Sequence, residues 1–511
     1  MSEANPSQVV AVIDIGSSAV RMSVAEIDLQ GSVRVLEQLE QPLELGRDVF
    51  RRGQVRRKTL ARLLAVLSDF QRVLAAYSVQ RVRAVGTSAL REAANREVVL
   101  DQLHLRHGLD VEIIGPAFEK QLLFLAVRDE LSDAYDLSTG SCLIVEVGGG
   151  STEITLLQQG EISATHTLPM GSVRLQEIVP AESGSPSDVL RLRRRHVRQA
   201  VARVADGMDL ADVDLFVAVG GEVRFVAHQA QPDRPEGLSV MSAGDFATFV
   251  REVRSGSPDR IASKLGMPWP KAEAFVPALL VYHYLLKQTR AERVVIPTAS
   301  VRTGILKELA AEVSGLGTGA LHSLVRTSAV HLGRRFHFDE QHALQVAKLS
   351  LSLFDQLEAM HGLGPRERLL LECAAILHDI GTFIHHKDHD RHGEYLLQAS
   401  EVFGLGRREH NVVSTVVRHH RAGAPSGDDP GFATLSREER LLVLRLVGLL
   451  RLGDVLDRTG QAVVDEVIVE REGKRLRLRI RPAVDLYYER AAFSEKAMLF
   501  EDIFGAPVEL A

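Results

Sequence analysis

Cysteine is nearly absent: the 511 residues hold two, Cys142 and Cys373, each inside an apolar run. Such scarcity excludes a disulfide framework and suits a reducing compartment, so a cytoplasmic location is expected. Missing too is any uninterrupted apolar stretch of the ~18 residues that a membrane-crossing helix needs. No secretory leader is recognisable, and stable membrane insertion is not expected. Positive charge is not in surplus either. With 61 Lys and Arg against 67 Asp and Glu, the formal net charge is −6, without the basic footprint of a nucleic-acid binder. What remains is ordinary for a globular protein, and the length suffices for about three domains with cores of their own.

The most informative stretch is Cys142–Leu157, CLIVEVGGGSTEITLL. An apolar run, three glycines, Ser151-Thr152-Glu153 and a second apolar run describe strand, tight turn and returning strand. Without Cβ atoms, the backbone N–H groups of such a turn can close on an anionic oxygen. Glu146 and Glu153 flank it, and carboxylates beside anion-accepting amides suit a phosphate with a divalent metal. Alone, these letters also describe an ordinary glycine-rich hairpin. A second copy shifts the balance. Val9–Arg21, VVAVIDIGSSAVR, repeats the order carboxylate, apolar residue, glycine, hydroxyl at Asp14 and Gly16-Ser17-Ser18. Two such turns suggest two related lobes facing one phosphate chain.

Between and beyond the turns, strands and helices alternate, which implies two α/β domains with a cleft between them. Lys58–Tyr77 reads as a surface helix with an apolar stripe. A short strand, Val82–Val85, runs into Gly86-Thr87-Ser88 and a helix from Ala89, with Thr87 or Ser88 as a candidate N-cap. Arg91 in the first turn of that helix is a candidate phosphate ligand or a solvated surface arginine. Glu119 opens another helix over Phe118–Glu130, a place that serves capping and a general base equally. The run Arg191, Arg193, Arg194, Arg195 and Arg198 describes a solvated helix face that can also draw in a polyanion. Gly220-Gly221 forms a third glycine turn before a helix, and Ser300 and Arg302 lie near the start of another.

Composition changes after Gly315–Ala320, a flexible joint, and the pattern from Leu321 to about Thr459 is helical and histidine-rich. His342, the pair His378-Asp379, and Asp454 are spaced as in metal-binding helical phosphohydrolases, where four side chains from three helices meet on one divalent ion. His392, His419 and His420 stand where a second metal would be ligated. From Val463 to Ile480 the alternation describes a β-hairpin turning at Glu472-Gly473.

Taken in order, DIGSSAVRMSVAEI, GTSALREAAN, EVGGGSTEITLL, LPMGSVRL and VAVGGEVRFVA resemble the exopolyphosphatase/guanosine pentaphosphate phosphatase (Ppx/GppA) family, within the actin-like ATPase and sugar-kinase fold. The resemblance extends through RHGEYLLQAS and VVRHHRAG to the whole chain. It implies an α/β protein of two actin-like (ribonuclease H-like) lobes, residues 8–132 and 133–312, with an interlobe cleft. An all-α HD-type domain over 320–460 and a small α+β tail over 461–511 would follow. By the same resemblance Gly16, Ser17 and Ser18 form the first phosphate turn, and Gly148, Gly149, Gly150 and Ser151 the second. Arg91 is the phosphate-contacting arginine and Glu119 the catalytic glutamate. Asp14, Glu146 and Glu153 organise Mg²⁺ and water, and Glu146 stands where the family motif has Asp. The implied substrate is inorganic polyphosphate or, at the same site, guanosine pentaphosphate, and the implied assembly a homodimer. A second divalent metal in the HD-type domain, catalytic or regulatory, is the further expectation.

Overall fold

A computed structural model describes residues 7–180, 183–230, 237–314, 319–421, 423–473, 475–481 and 487–510. It divides into two compact units, residues 1–319 and 320–511. The proposed joint Gly315–Ala320 falls mostly outside the described residues.

Two sheets organise the first unit. One holds β1 (Gln8–Ile15), β2 (Ala19–Ile27), β3 (Val33–Pro42), β4 (Arg81–Gly86) and β5 (Val111–Ile113), in the order β3-β2-β1-β4-β5. The other holds β6 (Ser141–Val147), β7 (Thr152–Gln158), β8 (Glu161–Leu168), β9 (Leu215–Val219), β10 (Ser239–Ser242) and β11 (Arg293–Ile296), in the order β10-β11-β9-β6-β7-β8. Each starts with an antiparallel three-stranded meander and continues with parallel strands beside the first. The second sheet thus repeats the topology of the first and adds an antiparallel edge strand, the two-lobed actin-like architecture. Their central strands are continuous apolar runs because helices cover both faces.

The helix Val301–Ser314 follows the last strand of the second sheet yet packs on the first. Ile305 and Leu309 share a core with Val10 and Val12 of β1, with Leu122 of the helix Pro116–Leu131 between. In the second unit, helices and a small sheet of β12 (Glu466–Glu472), β13 (Arg475–Arg481) and β14 (Val508–Leu510) surround one apolar core. No helix among the described residues is long and apolar enough to cross a membrane.

Candidate active site

The two glycine turns meet. A Cβ built on Gly149 would come within 2.8 Å of the Ser17 Cβ, and one on Gly150 would collide with Ser88 and Phe50, so only glycine allows this approach. Carbonyls of the second turn face away from the meeting point. Ser172 N donates to Gly148 O (2.9 Å), Val173 N to Gly149 O (3.0 Å), and Arg174 Nε to Gly150 O (2.7 Å). On the other jaw Gly46 N donates to Ser17 O (2.8 Å). Thr87 is the N-cap of the short helix Ser88–Glu92, but no side-chain cap bond forms. Instead the Ser88 hydroxyl lies 2.8 Å from that of Ser17 and joins the two loops.

Arg91 and Glu119, 28 residues apart, are brought into direct contact. Arg91 Nη1 donates to Glu119 Oε1 and to Ile114 O, both at 2.6 Å. Glu119 lies in the first turn of Pro116–Leu131 and is 8 % exposed, so the helix N-terminus and the guanidinium hold it in place. Burial pushes its carboxyl up to about 7, against the pull of Arg91 and helped by nearby Glu153 and Asp14. Glu146 is pushed further, to about 8, by burial and by the charges of Glu119, Glu153 and Asp14. Glu153 sits directly across the hairpin from Glu146, and Thr167 Oγ1 donates to its Oε2 at 2.7 Å. Four carboxylates therefore face one another where the turns join. An all-oxygen donor set whose members repel one another is suited to a hard divalent cation such as Mg²⁺.

Asp14 differs in having cations of its own. Arg302 Nη1 lies 3.4 Å from its Oδ2 and Arg21 Nη1 4.0 Å. Arg21 faces Asp14 across β1 and β2, a pairing that hairpin counting would have found. Arg302, 288 residues away, left no such signal. Asp14, Ser18, Glu146, Gly148 and Gly149 open on one cavity of about 310 Å³, with Arg21, Arg224, Arg302 and Lys271 in its wall. The Gly220-Gly221 turn also lines it. The arginine run lies elsewhere, on the helix Pro186–Gly207, with Arg191 paired to Asp188 and Arg193 and Arg194 bonded to Val179 O and the Tyr284 hydroxyl.

In the second unit His342, His378 and Asp379 come within 4.8 Å of one another by their ligand atoms. Asp454 Oδ1 lies 3.8 Å from both His342 Nε2 and His378 Nε2. A second group forms around Asp379, but with a different membership from the sequence reading. It takes His389 and His420. His389 replaces His392, one helical turn further along the helix His389–Gln398. His419, a residue before His420, turns about 100° away around its helix and reaches Asp429 Oδ2 at 2.6 Å.

The family described as Ppx/GppA phosphatase matches residues 23–312, and its domain III matches residues 325–492. Over 489 residues the chain is 24% identical to the guanosine-5'-triphosphate,3'-diphosphate pyrophosphatase of Vibrio vulnificus (strain YJ016), covering 94% of this chain and 93% of that protein. The protein of that name from Pseudoalteromonas translucida (strain TAC 125) is 22% identical over 488 residues, covering 92% of this chain and 93% of the relative. Among solved structures, an exopolyphosphatase from Cytophaga hutchinsonii superposes with a TM-score of 0.54 at 21% identity, over 60% of this chain and 98% of its own.

Proposed function

The chain belongs to the Ppx/GppA phosphatase family, and on that premise we propose that its interlobe cleft hydrolyses the terminal phosphoanhydride of inorganic polyphosphate and releases orthophosphate. The observation that carries this reading is the Arg91–Glu119 pair set against two apposed glycine turns. Phosphoryl transfer passes through a loose transition state, so the protein's work is positioning and neutralisation of charge. Amides of Gly16–Ser18 and Gly148–Ser151 receive the terminal phosphate. Arg91 keeps one guanidinium nitrogen on Glu119 and presents the others to a phosphate oxygen. Glu119, with a pKa of about 7, accepts the proton of the attacking water near neutral pH. Asp14, Glu146 and Glu153 would hold Mg²⁺, which when bound neutralises phosphate oxygens and lowers the cost of gathering these carboxylates.

A second substrate, guanosine pentaphosphate, is favoured by the apolar part of the same cavity's lining. There Phe225, Met267, Pro268, Pro270 and Phe275 form an apolar wall suited to a purine, for which polyphosphate has no counterpart. The full-length pyrophosphatase relatives support this second reading as well. Phosphate release from long-chain polyphosphate and from guanosine pentaphosphate, measured side by side with and without Mg²⁺, tests both. Mg²⁺-dependent release from polyphosphate at the higher kcat/KM is the expected result. A preference for the nucleotide that disappears in Phe225→Ala selects the second reading, and release from neither substrate sinks both.

A further inference from the structure

We propose that Tyr282 is a positioning residue for the cleft: its hydroxyl fixes the two peptides that lead into the glycine turns at Gly148 and Gly220, and through one of them the aim of Glu146. The inference rests on the phosphohydrolase reading above, in which Glu146 helps to hold Mg²⁺.

The device sits where a strand pairing stops. β6 and β9 run parallel, and their register ends at Glu146 opposite Val219. At that end a single side-chain oxygen joins the two strands. Val147 N donates to the Tyr282 hydroxyl at 3.0 Å, and the hydroxyl donates its own proton to Val219 O. A phenol can do both at once, because its oxygen offers one donor and an acceptor lone pair. Tyr282 is fully buried in the helix Trp269–Leu286 and shares the core behind the second sheet with Val145, Val147 and Ala218. Burial, with Glu222 and Glu146 nearby, holds the phenol's pKa well above its ordinary value, so the donated proton stays in place through the neutral range.

A peptide group is planar, so a bond at one of its atoms orients the whole unit. The bond to Val147 N sets the peptide between Glu146 and Val147, and the bond to Val219 O sets the peptide between Val219 and Gly220. Glu146 is therefore fixed on one side by the strand ladder and on the other by the phenol. The fit around the oxygen is close. A Cβ built on Gly220 would lie 2.8 Å from it, so residue 220 must lack one for the phenol to reach both strands. Glu146, Gly148, Gly149 and the Gly220-Gly221 turn all line the same cavity, and the spacing of its two rims is thus set through one atom. Without that atom, Val147 N and Val219 O must bond each other or go unpaired, and either outcome moves the peptide that carries Glu146. Groups that orient a metal ligand from behind typically control metal affinity or activity by about 10–100-fold.

The same helix supplies a control. The Tyr284 hydroxyl accepts from Arg194 Nε at 3.0 Å, on the helix Pro186–Gly207, so its removal deletes the same atom type without touching either turn.

The test compares the full chain with Tyr282→Phe and Tyr284→Phe, each keeping its ring. Two quantities are followed as Mg²⁺ is raised: phosphate release from the better of the two substrates, and hydrogen exchange of the segment 146–153 by mass spectrometry. In the wild-type chain Mg²⁺ is expected to activate release and to slow exchange in that segment. Tyr282→Phe is expected to raise the Mg²⁺ concentration for half-protection roughly 10-fold or more and to lower kcat more than it changes KM. Tyr284→Phe is expected to leave half-protection where it was. A hydroxyl with a purely structural role would lower the melting temperature without moving that concentration. Gly220→Ala drives a Cβ against the same oxygen and is expected to repeat the shift, and it carries the test if Tyr282→Phe does not fold. Half-protection at the wild-type concentration in a folded Tyr282→Phe or Gly220→Ala chain overturns the proposal and leaves the functional reading standing. A wild-type chain that Mg²⁺ neither activates nor protects overturns the functional reading, and this inference with it.

Discussion

The two lobes present the same hairpin with opposite electrostatics. In each, a carboxylate stands one residue before the end of the first strand, ahead of a glycine turn. Across the first hairpin Asp14 faces Arg21, an opposite-charge pair further compensated by Arg302. Across the second, Glu146 faces Glu153, a like-charge pair with Glu119 close by. Directly opposed like charges destabilise a sheet, and burial with these neighbours pushes the Glu146 carboxyl up to about 8, so the second jaw meets the conflict by holding a proton where its topological twin holds a paired charge. The first jaw is complete as a folded object, whereas the second would be balanced by the cation proposed for it. Identical topology therefore fixed where the carboxylates stand, and neighbouring side chains fixed what they are for.

Breaking this comparison starts with Glu119, the proposed general base beside the second jaw. Glu119→Gln should lower kcat by about 10²–10⁴-fold with substrate binding retained, measured by phosphate release and by direct binding. Near-normal turnover would remove Glu119 as the base. Arg302→Ala attacks the first jaw and should destabilise the chain by about 1.5–3 kcal/mol in a denaturant titration. If stability is unchanged, Arg21 alone balances Asp14. A third test reads the second jaw through pH. Glu119 and Glu146, raised from 4.5 to about 7 and about 8, bind more protons folded than unfolded. Their contribution to stability is full below about pH 4.5 and is lost as pH rises through those values. In chelator the melting temperature should fall between pH 5 and 8, less steeply in Glu146→Gln. A slope unchanged by that substitution would contradict the assignment. The smallest effect is expected from Glu153→Gln, which above about pH 8, where Glu146 is ionised, relieves the cross-strand repulsion and should raise metal-free stability by about 0.2–1 kcal/mol. No gain in chelator above that pH would mean that the two side chains do not oppose each other as charges.

Much of this was legible in the letters. Both turns, their flanking carboxylates and the hairpin alternation depend on neighbours within a few residues, and strand period and glycine placement record those directly. Arg91 against Glu119 was legible as two candidates but not as a pair, because a contact between separate helices leaves no periodic trace. The Arg302 contact with Asp14 was hidden for the same reason. Of the two N-cap candidates, Thr87 takes the position, while the use of the Ser88 hydroxyl across the loops leaves no local trace. The histidines show the limit most clearly. The doublet His419-His420 offers two equivalent letters, and only the 100° step of the helix sends one to Asp379 and the other to Asp429. His389 passed unnoticed beside His392 because the residue that selects it, Asp379, approaches from another segment.

The helix Val301–Ser314 imposes an order on the birth of the molecule. It covers β1 through Ile305 and Leu309, so the first sheet has a bare apolar face until that helix has been made. Roughly 190 residues separate the end of β5 from Val301, which at about 5–20 residues per second on the ribosome is roughly 10–40 seconds. The lobe whose chain is synthesised first is therefore the one finished last.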